Sequence, residues 1–276
     1  MKWFIVWLTA LLGGGLWLEW SKPVTLVLTP ANTQAATAPP RAPVVIELFT
    51  SEGCSSCPPA DALLAQLAQA AASQNVALIP LSEHVDYWND IGWTDPFSSA
   101  EFSERQRRYA LALGARGERG DVYTPQMVVD GRFGFVGSNA AKAQDAIAQA
   151  AQAGKANVQL TPVADKTGAA LSLRVNVTNL PPLAAHERAE VMFAITEDGL
   201  SSNVTRGENS GRRLPHIAVT RALRSLGEMP VNAPSFETTT AVKLNANWRR
   251  SALRLVVFVQ ERTQRRILGA ASLPIS

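Results

Sequence analysis

Cysteine and histidine are both scarce: the 276-residue chain holds two cysteines and three histidines. Two cysteines allow one internal disulfide at most. A metal site would have to recruit His84, His186 or His216 together with carboxylates, and neither a metal nor another cofactor is expected. The chain carries no P-loop, dinucleotide fingerprint, serine nucleophile elbow or HExxH sequence. It also lacks a basic stripe with interleaved aromatics, so a nucleic-acid partner is not expected. Charged residues make up only 18% of the chain against 46% hydrophobic ones, a balance that excludes a disordered polymer. No internal repeat is evident.

What is present divides along the chain. At this length one large or two ordinary domains can bury a proper core. Residues 41–156 carry nine Lys/Arg against thirteen Asp/Glu, a balance of −4, whereas residues 157–276 carry fifteen against nine, a balance of +6. That asymmetry suits two parts that attract each other, or an acidic partner for the second. At the start, Lys2 precedes an apolar run from Trp3 to Leu18 that Glu19 ends. The run has no polar face, so residues 1–28 read as an export signal or an N-terminal membrane anchor. Thr33-Gln34-Ala35 offers a small-x-small cleavage site, although it lies well past the run. Either way the rest of the chain is expected in the periplasm or secreted, with anchoring through the N-terminus as one option.

Residues 29–43 are small, Pro-rich and aperiodic, as a linker would be. Beyond them Val44 to Phe49 and Val76 to Leu81 are short apolar runs suited to buried parallel strands. Ala60 to Ala72 and Ser98 to Leu113 repeat apolar residues at helical spacing, and Ser98-x-x-Glu101 has the form of a capping box. Asp130-Gly131 sits between Tyr123–Val129 and Arg132–Val136, a two-residue hairpin signal, and Ser138 is placed to cap a helix running to about Ala153. The order β-α-β-α-β-β-α over residues 44–156 is the thioredoxin arrangement, an α/β domain with a central mixed sheet. Residues 157–276 alternate apolar and polar positions, as at Leu171, Leu173, Val175 and Val177, and read as an antiparallel β-rich, sandwich-like domain. Ile217 to Leu226 fits a short helix slightly better than a strand.

The chemistry concentrates in Gly53-Cys54-Ser55-Ser56-Cys57-Pro58, between the first strand and the first helix. Backbone N–H groups at a helix start favour negative charge and so favour a thiolate. Cys54, nearer the loop, is expected to be the attacking and more exposed thiol, and Cys57 the resolving one. Pro58 and Pro59 donate no backbone hydrogen bonds, so a helix starting at Pro58 would leave Cys54 in the loop, with less help from the dipole. Thr124-Pro125, at the start of the hairpin, is placed to present backbone to a bound peptide through a cis bond. An inert disulfide and a metal site are the competing readings of the cysteine pair.

The sequence resembles a group of secreted bacterial proteins with a thioredoxin-like fold, catalogued as domain of unknown function 1223. The stretches that carry the resemblance run from Glu47 to Asp61 and from His84 to Trp88. Gly92-Trp93, Asp95, Phe97, Tyr123-Thr124-Pro125-Gln126 and Arg206-Gly207-Glu208-Asn209 add to it. It covers roughly residues 44 to 275, implies the fold and implies no substrate. Glu83 to Phe97, rich in aromatic and acidic residues, leaves the sheet edge that carries the cysteines, where ligands of open α/β sheets gather. In the functional reading His84 or Asp86 moves protons beside Cys54, and Trp88 and Trp93 shape a substrate groove with Thr124 and Pro125. In the structural reading the same loop packs its aromatics beneath the second helix. Arg206, Glu208, Asn209, Arg212, Arg213 and His216 form a polar patch that is either solvated or partner-binding. The expected activity is thiol–disulfide exchange on protein or small-molecule thiols and disulfides, with a redox partner protein as one option. The alternative is a non-catalytic binding module of the cell envelope with a structural disulfide.

Overall fold

A computed structural model of the chain describes residues 42–73, 77–117, 120–164, 171–183, 186–229 and 233–275. The expected export segment and nearly all of the linker lie outside the described residues. No helix among the described residues is long and apolar enough to cross a membrane.

Strand β1 (Val44–Thr50) is buried along its whole length, as expected of an apolar run at the centre of a sheet. It pairs parallel with β2 (Leu78–His84) and antiparallel with β3 (Gln126–Val129). Its one acidic residue, Glu47, accepts from Arg105 Nε at 2.6 Å and from the Tyr109 hydroxyl. Burial of that charge is tolerable only because both partners come with it. Strand β3 turns through Asp130 (φ 48°) and Gly131 (φ 62°) into β4 (Phe133–Val136). Two consecutive left-handed residues make the tight turn that matches strand twist. A Cβ on Gly131 would lie 1.9 Å from Arg265 O, so a side chain is excluded there. Helices α1 (Pro58–Ser73) and α3 (Ala140–Ala150) cover one face of β1 and β3, over Ile46, Leu48, Met127 and Val129. Helix α2 (Ala100–Ala115) inserts Phe102 against the opposite face, beside Val45 and Leu81.

Strands β5 (Asn157–Ala164), β6 (Leu171–Thr178) and β11 (Ser235–Val242) form a second, antiparallel sheet. Strands β8 (Leu200–Asn203) and β9 (Arg213–His216) make a short hairpin. The other late strands are β7 (Ala189–Glu197), β10 (Val219–Met229), β12 (Leu253–Glu261) and β13 (Ile267–Pro274), and they join the first sheet. That sheet has eight strands in the order β13-β12-β7-β10-β2-β1-β3-β4. All described residues lie in one compact unit.

Several elements differ from expectation. The segment read as a short helix, Ile217 to Leu226, enters β10 instead. The whole of β10 pairs with β7, and Val219 at its start also pairs with Ser82 of β2, so this strand bridges the first and last parts of the sheet. The long antiparallel ladder with β7 satisfies its backbone groups and overrides local helix preference. Strand β2 runs on to His84, so His84 closes a strand where a loop was expected. Ser99, not Ser98, caps α2, its hydroxyl accepting from Glu101 N at 3.2 Å, and Asn139, not Ser138, caps α3. The β-rich part is therefore not sheeted on its own. Four of its strands extend the mixed sheet, and its three-stranded sheet packs across them through Leu173, Val175, Phe193 and Leu255.

Candidate functional site

The loop from Ser51 to Cys57 follows β1, and its turns are closed by Cys54 N–H to Ser51 O (3.2 Å) and Cys57 N–H to Cys54 O (3.2 Å). Helix α1 starts at Pro58, whose missing N–H is one that a first turn would leave unpaired in any case. Cys57 O accepts from Ala60 N and Asp61 N. Cys54 is thus left in the loop, as the proline pair implied.

Both cysteines are free thiols, and neither side chain has exposed surface. The expected difference in exposure is absent, but a difference in acidity replaces it. The Cys57 thiol hydrogen-bonds to Cys54 and outweighs the opposing effect of burial. With Ser56 (Oγ 3.2 Å from Cys54 Sγ) and Thr124 assisting, the Cys54 thiol is brought down from 9.0 to about 6. Cys57 is pushed the other way by burial, by the hydrogen bond and charge it shares with Cys54, and by the nearby charge of Asp61. Neighbouring groups therefore do what the distant helix dipole does not.

The Thr124-Pro125 peptide is cis, and Pro125 O accepts from Gly137 N at 2.9 Å. Thr124 Oγ1 accepts from Trp88 Nε1 at 2.8 Å, which brings Trp88, Thr124 and Cys54 together. Gly53 makes room for this packing, since a Cβ there would lie 3.1 Å from Trp88 Cβ. Trp93 sits one step removed and donates to Glu52 Oε2 at 2.8 Å. His84 is fully buried with Nδ1 at 2.7 Å from Asp95 Oδ2, and Asp86 accepts from Ser103 Oγ at 2.5 Å. Their polar contacts run to these partners, and the carboxylate whose charge reaches the dithiol is Asp61, acting on Cys57.

Residues from the far end of the chain complete the loop. Asn209, fully buried, donates through Nδ2 to Glu52 O (2.9 Å) and Cys54 O (3.0 Å), and its Oδ1 accepts from Arg212 at 2.8 Å. Glu208 Oε2 accepts from Ser55 N at 2.9 Å. His216 Nε2 lies 3.0 Å from Glu52 Oε1, and Glu52 N donates to Asp95 Oδ2 at 2.8 Å. The loop carrying Glu208 fits against the 83–97 segment because Gly92 meets Gly207: a Cβ on Gly92 would lie 3.3 Å from Gly207 Cα. The polar patch read as solvated or partner-binding thus contributes Glu208, Asn209 and His216 to the dithiol loop. Asp61 had a signal in the sequence, four residues after Cys57 on a helix, one turn below it. Asn209 had none beyond its place in the resemblance. Among the described residues no cluster of three or more His, Cys, Asp or Glu is arranged to hold a metal ion.

Comparison with solved structures finds a crystal structure of an Agrobacterium tumefaciens protein at TM-score 0.65 and 26% identity, covering 87% of this chain and 97% of that one. The HBP35 protein of Porphyromonas gingivalis is similar at TM-score 0.57 and 15% identity, over 85% and 76% of the two chains, a likeness of fold alone. No curated protein sequence matches. The family described as "Protein of unknown function (DUF1223)" matches over residues 45–260, and the chain belongs to that family.

Proposed function

We propose that the protein is a thiol–disulfide oxidoreductase of thioredoxin-like fold that works outside the cytoplasm on protein or small-molecule thiols and disulfides. The observation that carries this reading is the setting of the dithiol: two free thiols at the turn between β1 and α1, with Ser56 Oγ 3.2 Å from Cys54 Sγ and neighbours that oppose the acidities of the two cysteines. A thiol at about 6 is largely thiolate at neutral pH, whereas its partner is held as the thiol that resolves a mixed disulfide. The cis Thr124-Pro125 peptide beside the dithiol fits a surface that presents backbone to a substrate, with Trp88 holding Thr124 in place. Placement outside the cytoplasm rests on the apolar run Trp3 to Leu18 behind Lys2.

A stabilised thiolate stabilises the reduced state and raises the reduction potential. The test is turnover of a mixed-disulfide substrate by the full chain and its single-cysteine variants. Cys54→Ser should abolish exchange, and Cys57→Ser should accumulate a mixed disulfide detectable by mass. Normal turnover by Cys54→Ser would overturn the proposal. One observation favours the non-catalytic alternative: neither thiol has exposed surface. A binding module would keep its fold and lose no measurable property in either variant.

A further inference from the structure

Helix α2, strands β7 and β10 and the turn between β12 and β13 line a cavity of about 210 Å³. None of its lining residues belongs to the dithiol loop. Its inner wall is made of buried side chains: Met192 of β7, Leu223 of β10, Arg105 of α2 and Arg265 of the turn. Arg265 is the anomaly. It is only 4% exposed, yet among the described residues its Nε has no hydrogen-bond partner. Buried polar groups are nearly always paired, and a buried charge without a partner is costly. The guanidinium lies 5.6 Å from the Tyr109 ring, which supplies no acceptor oxygen for that N–H.

The balance of charge sharpens the deficit. Arg105 spends its three nitrogens on Glu47 (2.6 Å), Gln260 (3.1 Å) and the Tyr109 hydroxyl (3.1 Å). Glu83 lies 3.4 Å from Arg105, but burial first and the adjacent Glu47 second raise its pKa well above the ordinary carboxyl value, which favours its neutral form. Glu47 then faces two buried guanidiniums, and its hydrogen bonds go to Arg105 and Tyr109. Arg265 is the cation left over. Burial and the charge of Arg105 both lower its pKa. Toward solvent, Glu104 is engaged by Arg107 and Arg108 at 3.0 and 3.3 Å.

We propose that this cavity binds a small monocarboxylic acid, whose carboxylate pairs with Arg265 and whose short apolar body lies against Met192 and Leu223. An arginine fork matches the two oxygens of a carboxylate, and hydrogen bonds between charged groups are the strong ones. One surplus buried cation calls for a single negative charge. Glu101, Glu104 and Glu190 also line the cavity and disfavour a dianion such as phosphate. The volume falls below the roughly 300–1,000 Å³ of sites for drug-sized ligands, so only a few carbons fit beside the carboxylate. No bond is made or broken in this binding, which is independent of the thiol–disulfide reading.

Methyl NMR of the full chain, isotope-labelled at the methionine methyls, reads the site directly. Met192 lines the cavity, whereas Met127 and Met229 pack in other clusters of the core. Met192→Leu assigns the Met192 resonance. Propionate, added at constant ionic strength, should shift that resonance saturably and leave those of Met127 and Met229 in place. Propionamide, its neutral isostere, and inorganic phosphate should each bind about tenfold more weakly or worse. Arg265→Gln should weaken propionate by about tenfold or more. If that variant does not fold, propionate against propionamide on the native protein decides the matter alone. An unshifted Met192 resonance, equal binding of propionate and propionamide, tighter binding of phosphate, or undiminished binding by folded Arg265→Gln would each overturn the carboxylate site.

Discussion

Asn209→Ala tests whether the distal segment holds the dithiol loop in place. In the native protein the Asn209 amide bridges Glu52 O and Cys54 O, 157 and 155 residues away in sequence, from a fully buried position. Truncation removes both bonds without replacing them. Cys54 O keeps the Cys57 N–H, so its loss is that of an ordinary hydrogen bond, about 1 kcal/mol. Glu52 O loses its side-chain donor in a buried setting, which costs about 1–3 kcal/mol. Together the structure predicts destabilisation of roughly 2–4 kcal/mol, which for a folded body of this size lowers the melting temperature by about 5–12 °C. Arg212→Ala is the control: it touches Asn209 only through Oδ1 and should cost about 1 kcal/mol or less. Denaturant titration of the two variants supplies the stabilities, and the alkylation rate of Cys54 in the same samples reports the loop. Asn209→Ala should speed alkylation of the otherwise buried thiol and Arg212→Ala should not. A destabilisation of under about 0.5 kcal/mol, with native alkylation, would show that the loop stands without Asn209 and refute the argument.

Two further outcomes follow from the charges. Cys54 should titrate with a midpoint near 6 when the reduced protein is followed by thiolate absorbance, and Cys54→Ser should remove that transition; a midpoint near the ordinary value of about 8.5 would remove the basis for activation. The His84–Asp95 pair should stabilise the fold in a definite pH window. His84, with its pKa raised on folding, contributes fully below about 6.5 and loses its contribution as pH rises through the folded value, while Asp95, depressed on folding, contributes above about 3.9 and fails only as pH falls further. Measured in Cys54→Ser/Cys57→Ser protein, where the thiols no longer titrate, stability should decline above neutrality, and His84→Gln should flatten that decline; identical pH profiles with and without His84 would contradict the assignment.

What could be read in advance was mostly local. The apolar run Val44 to Phe49, the helical spacing of Ala60 to Ala72 and the Asp130-Gly131 turn each state their structure within a few residues, and all three are found. The Cys54/Cys57 pair and Thr124-Pro125 were legible for the same reason, because each is a short motif whose meaning depends on its place at a strand end. The failures are non-local. Ile217 to Leu226 has a composition that suits helix, and it becomes a strand by pairing antiparallel with β7, far away in sequence, with Val219 also meeting β2. The whole run of β7, β10, β12 and β13 reads as an independent β-rich part, since alternation reports strands without saying which sheet receives them. For His84 the expectation of a loop position gives way to the end of a strand. Strand β2 extends three residues further, to His84, whose ring meets Asp95 and His216.

These failures have one origin, and it bears on function. Strand β10 follows directly on β9, which carries His216, and the loop before β9 carries Glu208 and Asn209. Inserting β10 between β2 and β7 is what brings that segment to the carboxyl ends of β1 and β2, where Glu52, Cys54 and His84 reside. A first domain ending near residue 156 would still have the cysteines, Trp88 and Thr124. It would lack the amide that ties down Glu52 O and Cys54 O, the acceptor for Ser55 N–H, and one of the two imidazoles. Those absences would leave the Cys54 pKa largely in place, because its principal causes, Cys57, Ser56 and Thr124, all precede residue 156. The division of labour is therefore physical: the early segment sets the acidity of Cys54, and the late segment holds the backbone of its loop through Asn209 and Glu208.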